Sequence, residues 1–192
     1  MECSLEIVVE CFGRGLAATD RDGQPHKAFQ AGIGPYGEAD AIRLAVGHMR
    51  AECPDLFSKA VIKRVPDMLI PGRWALEFKI VRPFGDNGKP AEHWSENILH
   101  PYPGNTSSLG DCLKLLASTL PERKAVVVFG YEHEPAQILL DPAVKAFELI
   151  AKDTLGVALS PRIERRIKGL IHPVHQVLRI FAWEVLARNV NT

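Results

Sequence analysis

The chain has 192 residues, 46% hydrophobic and 24% charged, and its 23 basic and 23 acidic residues cancel to a formal net charge of zero. This length suits a single domain (1–192) with a sizeable core, and the composition excludes a disordered or low-complexity chain. Neutrality excludes the broad cationic surface that many nucleic-acid binders carry, although a metal site or a local basic patch supplies positive charge without changing the total.

Residues 4–12 fit either a helix or an edge strand. Residues 16–30 carry Asp22-Gly23 between two mildly apolar runs, a hairpin signal. The glycine-rich stretch Gly32 to Gly37 leads into a helix over about 38–52, where Ile42, Ala45, Val46 and Met49 recur at helical spacing. Two strands are expected next, about 59–70 and 74–82, joined by Pro71-Gly72-Arg73. Residues 83–107 read as a long irregular segment, the kind that serves as a lid or binding loop or else is disordered. A helix over about 108–119 presents Leu109, Cys112, Leu113, Leu116 and Leu120 on one face, and Ala125 to Gly130 reads as a buried strand. A further helix spans about 142–155. Residues 160–188 match helical and strand periodicity equally well. Taken together, this order of elements predicts an α/β fold with a mixed central β-sheet flanked by α-helices.

None of the four cysteines (Cys3, Cys11, Cys53, Cys112) lies in a CxxC pair, so all are read as reduced thiols. No apolar run approaches the roughly 18 residues of a spanning helix. Met1-Glu2-Cys3-Ser4-Leu5-Glu6 also lacks a basic signal-peptide start. A cytoplasmic protein with no membrane partner is expected, and in that compartment the sequon Asn105-Thr106-Ser107 has no meaning.

The most informative segment is Trp74-Ala75-Leu76-Glu77-Phe78-Lys79-Ile80-Val81. Side chains alternate across a strand, so Trp74, Leu76, Phe78 and Ile80 share an apolar face, and Glu77 and Lys79 sit side by side on the other. A one-residue slip would drive both charges into the core, so the apolar face sets the register. If Pro71-Gly72-Arg73 forms a three-residue loop, Ile70 pairs with Trp74 and Asp67 falls opposite Glu77. Two carboxylates placed there repel each other, and a divalent cation between them converts repulsion into binding.

Pro66-Asp67, nine residues, then Glu77-Phe78-Lys79 resembles the motif of the PD-(D/E)xK nuclease superfamily, the restriction-endonuclease-like group. The resemblance spans that superfamily's core, from the helix after Gly37 to the strand ending near Gly130. It implies a restriction-endonuclease-like fold in which Asp67, Glu77 and the Phe78 carbonyl hold Mg (or Mn). Lys79 would orient the attacking water or stabilise charge on the phosphate. Glu38 would be the additional acid that many members place on the preceding helix, with Asp40 and Glu52 as competitors for that role. The implied activity is hydrolysis of nucleic-acid phosphodiesters, with DNA as the expected substrate, and a homodimer is compatible with it. The alternative is a catalytically idle module of the same fold that binds nucleic acid or protein.

Four further features have functional and structural readings side by side. Gly32-Ile33-Gly34-Pro35-Tyr36-Gly37 satisfies GxGxxG, but the residues before it make a poor buried strand, so a tight turn fits better than a dinucleotide site. His172-Pro173-Val174-His175 has spacing that could serve zinc, with no third ligand evident in the sequence. Arg162, Arg165, Arg166, Lys168 and Arg179 form a basic cluster suited to phosphate-backbone contact or, equally, to a solvated charged face. His93, Trp94, His100 and Tyr102 could stack on bases or simply pin the long loop.

Overall fold

The coordinates are a computed structural model that describes residues 3–26, 29–101 and 106–186. The first helix, α1 (Leu5–Arg21), starts where the Ser4 hydroxyl accepts from the Ile7 N–H at 3.4 Å. It stops at Asp22, beyond which Gly23 adopts a φ of 64°. This corrects the expected hairpin over 16–30: Asp22-Gly23 ends a helix there instead of turning between strands. Val8, Val9, Phe12 and Leu16 recur at helical spacing and are all buried, which outweighs the turn signal. Helix α2 (Glu38–Glu52) follows the glycine-rich turn and buries Ile42, Ala45, Val46 and Met49. A short helix α3 (Pro54–Phe57) leads to the sheet.

The expected strand over 59–70 is two short pieces, β1 (Val61–Ile62) and β2 (Met68–Ile70), and β3 (Trp74–Val81) follows. The Pro71-Gly72-Arg73 turn, with Gly72 at φ 70°, gives the antiparallel pairs Ile70↔Trp74, Leu69↔Ala75 and Met68↔Leu76. Extending that register by two residues sets Asp67 opposite Glu77 and Pro66 opposite Phe78. Pro66 has no N–H to give the ladder, so β2 ends at Met68 and leaves the edge of β3 open beyond Leu76.

A crossover then carries the short helix α4 (Glu96–Leu99) and α5 (Ser108–Ala117), the latter capped by the Ser107 hydroxyl accepting from Gly110 N–H at 3.2 Å. It returns the chain as β4 (Arg123–Glu132), parallel to β3. Helix α6 (Asp141–Leu149) continues into a π-helical turn over Ile150–Thr154. After the short strand β5 (Ala158–Leu159), the ambiguous C-terminal stretch forms two strands, β6 (Ile163–Lys168) and β7 (Val177–Leu186). Strand β7 pairs antiparallel with β4 on one side and with β5 and β6 on the other, so it lies inside the sheet. Both of its faces are apolar, which is why helical spacing fitted its sequence as well as alternation did. The result is a seven-stranded mixed sheet between helices.

Two apolar layers hold this sandwich. On one face Trp74, Leu76, Phe78, Val127, Phe129 and Ile180 pack with Phe12, Leu16, Val46 and Met49 from α1 and α2. Phe12 sits 4.7 Å from Phe78 and 5.3 Å from Phe129, centroid to centroid. On the other face Ala75, Val126, Val128, Phe181 and Trp183 pack with Leu109, Cys112, Val144 and Phe147 from α5 and α6. The four cysteines are unbonded, although Cys11 and Cys53 bring their sulfurs to 3.9 Å. Among the described residues, no helix is long and apolar enough to cross a membrane.

Close approach of α1 to α2 depends on Gly15, where an added Cβ would lie 2.8 Å from the Ala45 carbonyl oxygen and 2.9 Å from its Cα. Gly47, on the exposed side of α2, has open space around it. Gly47→Ala is therefore expected to raise unfolding free energy by about 0.5–1 kcal/mol, because only backbone entropy changes. Gly15→Ala is expected to lower it, since backbone atoms of a packed helix must move. Urea denaturation of the two variants beside the parent measures both signs.

Candidate functional site

Because Trp74, Leu76 and Phe78 are committed to the α1–α2 layer, Glu77 and Lys79 point toward α5. Glu77 is buried (4% exposed). Asp67 reaches the open edge of β3 and accepts from the Phe78 N–H at 2.8 Å through Oδ2, where β2 no longer pairs with β3. One step further, Glu38 accepts from the Ile80 N–H at 2.7 Å. Its place in the first turn of α2 brings it to the same edge. The Lys79 ammonium lies 3.6 Å from Glu38 Oε1 and 3.5 Å from Asp111 Oδ2. Asp111, in the first turn of α5, is itself buried (1% exposed) and accepts from Lys114 Nζ at 2.6 Å.

Four carboxyls and two ammonium groups thus share one end of the β2–β3 hairpin. Burial pushes the carboxyls of Glu38 and Asp111 up, although Lys79 pulls both back down. Glu77 goes furthest, to about 8, through burial first, then the Asp67 charge and a hydrogen bond between the two carboxyls. Glu77 Oε1 and Asp111 Oδ2 are buried without a hydrogen-bond donor. A shielded carboxylate that lacks a donor costs free energy when ionised, so the arrangement favours either a shared proton or an added cation.

Of the residues that sequence reasoning selected, Asp67, Glu77, Lys79 and Glu38 come together. The competitors for the Glu38 position point elsewhere, Asp40 pairing with Arg43 at 2.6 Å and Glu52 with Arg14 at 3.2 Å. Neither family models, curated proteins nor solved structures match this chain.

The basic cluster is not a bare cationic face. Arg179 is buried and held by Glu132 (3.0 Å), Asp141 (3.1 Å) and Glu164 (2.5 Å), which more than offset burial and keep it charged. Arg165 pairs with Glu10 at 2.8 Å, Lys168 with Glu134 at 3.1 Å, Arg166 with Glu134 at 3.8 Å, and Arg162 with Glu148 at 3.8 Å. Sequence spacing exposed the five cations and Glu164 among them, but not the other acids, which come from other segments. In the long loop, His93 pairs with Glu96 at 2.8 Å, and Trp94 packs against the α5–α6 layer. Tyr102 and Asn105 lie outside the described residues.

Sequence reasoning missed Asp111 and Lys114. The available signal was a carboxylate on the side of α5 that buries Leu109, Cys112 and Leu115, with a lysine one turn later. It also missed the third partner of the two histidines. Asp86, His172 and His175 each offer one ligand atom, all within 4.8 Å of one another, and this group could hold a metal ion. Asp86 comes from the loop after β3, so nothing near His172 in the sequence announced it. Burial pushes both histidines down, His175 to about 4, which leaves its ring neutral near pH 7. The glycine-rich motif serves this packing: a Cβ on Gly34 would lie 2.3 Å from His175 Nδ1.

The raised Glu77 carboxyl has a consequence for metal-free stability. Its folded value of about 8 against an ordinary 4.5 means that the folded state holds the proton more tightly. The stability this contributes is fully present below about 4.5 and is lost as pH rises through about 8. Glu77→Gln removes the titration, so in chelator the variant should lose less thermal stability than the parent between acidic and alkaline pH. Parallel melting curves across that window measure the difference, and equal slopes would contradict the assignment.

Proposed function

We propose that this chain is a metal-dependent nuclease built on a restriction-endonuclease-like core, hydrolysing nucleic-acid phosphodiesters, with DNA as the first substrate to test. The observation that carries the reading is the meeting of Asp67, Glu77 and Lys79 at the open end of β2 and β3. The succession α2, β2–β3 hairpin, α5, β4 also agrees with the core of the superfamily that the motif resembles.

The donor set suits Mg²⁺ or Mn²⁺. Such ions take one or two carboxylates and keep several waters, and here a buried, donorless Glu77 oxygen lies beside Asp67. Asp67, Glu77 and the Phe78 carbonyl would be the ligands. When bound, the cation would polarise the phosphate and lower the pKa of a coordinated water. The protein's own contribution is positional. Lys79, steadied between Glu38 and Asp111, holds a positive charge where negative charge builds on the phosphorus oxygens. Asp111 also keeps Lys114 nearby, a second ammonium group at the rim of the site.

The second reading is an idle module of the same fold, favoured by one observation: the basic residues over 162–168 and Arg179 are engaged by acids and offer no bare phosphate-binding face. Incubation of linear and supercoiled DNA with the protein and Mg²⁺ or Mn²⁺ separates the two. Cleavage is expected from the parent. Lys79→Ala and Glu77→Gln should each lower the rate by at least about 100-fold while circular dichroism stays unchanged. Either variant cutting at the parent's rate rules the mechanism out, and calorimetry showing no Mg²⁺ or Mn²⁺ uptake by the parent favours the idle module.

A further inference from the structure

We propose that Asp86, His172 and His175 form a site for a divalent transition-metal ion of the zinc class, distinct from the acid–lysine cluster, that staples the loop after β3 to the loop before β7. The proposal goes beyond the nuclease reading and does not rest on it.

The loop after β3 is closed by the Phe84↔Pro90 bridge and by Gly85 N–H donating to the Lys89 carbonyl at 2.9 Å. This turn presents Asp86. The loop before β7 is anchored by Asp20, whose Oδ2 accepts from Ile171 N–H at 2.9 Å while its Oδ1 accepts from Ile33 N–H at 3.0 Å. At its base, Leu170 N–H donates to the Gln176 carbonyl at 3.1 Å. Both loops are therefore held before any ligand is considered, which is the preorganisation a metal site needs.

Within that frame three polar atoms lack hydrogen-bond partners: Asp86 Oδ1, His172 Nε2 and His175 Nδ1. Asp86, His172 and His175 each place one ligand atom within 4.8 Å of the others. Both histidines are buried, His172 at 0% and His175 at 1% exposure. His175 is ready to ligate. Its Nε2 lies 3.0 Å from the Phe84 carbonyl oxygen, an acceptor only, so the ring proton sits on Nε2 and the Nδ1 lone pair is free. This is the outer hydrogen bond that orients ligating imidazoles. Asp86 Oδ1 is 3.6 Å from that lone pair. Two ligands at about 2.0–2.2 Å from a tetrahedral zinc ion are separated by a similar span.

His172 is less ready. Its Nδ1 accepts from the N–H groups of Val174 (3.2 Å) and His175 (3.1 Å), which places the neutral ring's proton on Nε2. Ligation displaces that proton, either to solvent or to Nδ1 with loss of the two backbone contacts. The order of importance among the ligands follows: His175 and Asp86 ahead of His172. Two imidazoles and one carboxylate select zinc, cobalt or nickel over magnesium, whose preference is all oxygen.

The test uses the full chain stripped with chelator and then titrated with Co²⁺, followed by visible absorption, and with Zn²⁺, followed by calorimetry and melting temperature. One ion per chain and a rise in melting temperature are expected, with no competition from millimolar Mg²⁺. Asp86→Asn and His175→Gln should each weaken Zn²⁺ binding at least about tenfold, and His172→Gln by less than either. Asp86 lies on a partly exposed turn, so its variant tests the site even if His175→Gln fails to fold. Glu77→Gln should bind Zn²⁺ here like the parent, which separates this site from the nuclease centre. Absence of Zn²⁺ and Co²⁺ binding by the parent, or unchanged affinity in Asp86→Asn, overturns the proposal, with water the sole occupant.

Discussion

Burial of Trp74, Leu76 and Phe78 against α1 and α2 decides where every other side chain of β3 points, and the candidate site follows from that commitment. Trp74 is anchored further by its indole N–H donating to the Cys3 carbonyl at 2.7 Å. Once this face is spent on the core, Glu77 and Lys79 have only the α5 side available, and α5 meets them with Asp111. A residue of slip would place two charges among Phe12, Leu16 and Met49, an arrangement that desolvation forbids. Apolar packing therefore holds the polar cluster in register.

Within the cluster, burial and charge work against each other. Lys79 lies between Glu38 and Asp111, yet both carboxyls are still pushed up because water is excluded from them. Glu77 is farther from relief and shares its surroundings with Asp67. Such a centre accepts positive charge readily. The Arg179 centre two strands away is the opposite case, with three carboxylates already gathered around a guanidinium that cannot give up its proton.

The hairpin was legible in the sequence because its determinants are local, alternation in β3 and a glycine at the turn, whereas the break around Pro66 in the expected 59–70 strand was not read. Glu38 was legible through its place at the start of a well-marked helix. Asp111 was not, because a carboxylate inside an apolar stripe looks like an interruption until its lysine partner arrives from β3. Asp86 was hidden by separation along the chain, and most acids of the five-member basic cluster, Glu10, Glu132, Glu134, Asp141 and Glu148, lie outside its stretch of sequence, with Glu164 alone among the cations. The first helix was misread past residue 16 because Asp22-Gly23 is as good a helix terminator as it is a hairpin turn, and the buried stripe that distinguishes them extends from Val8 through Leu16.

The truncated β2 leaves β3 with backbone amides that no strand claims, and Asp67 and Glu38 occupy them at Phe78 and Ile80. These two carboxylates consequently act as a selvage on the sheet, closing an unfinished border that would otherwise invite pairing with another molecule. Replacing either with alanine would strip a backbone cover along with a negative charge, whereas asparagine or glutamine would keep the cover and remove only the charge. A chain that uses the same carboxylates to finish its sheet and to furnish its polar centre cannot vary one without disturbing the other.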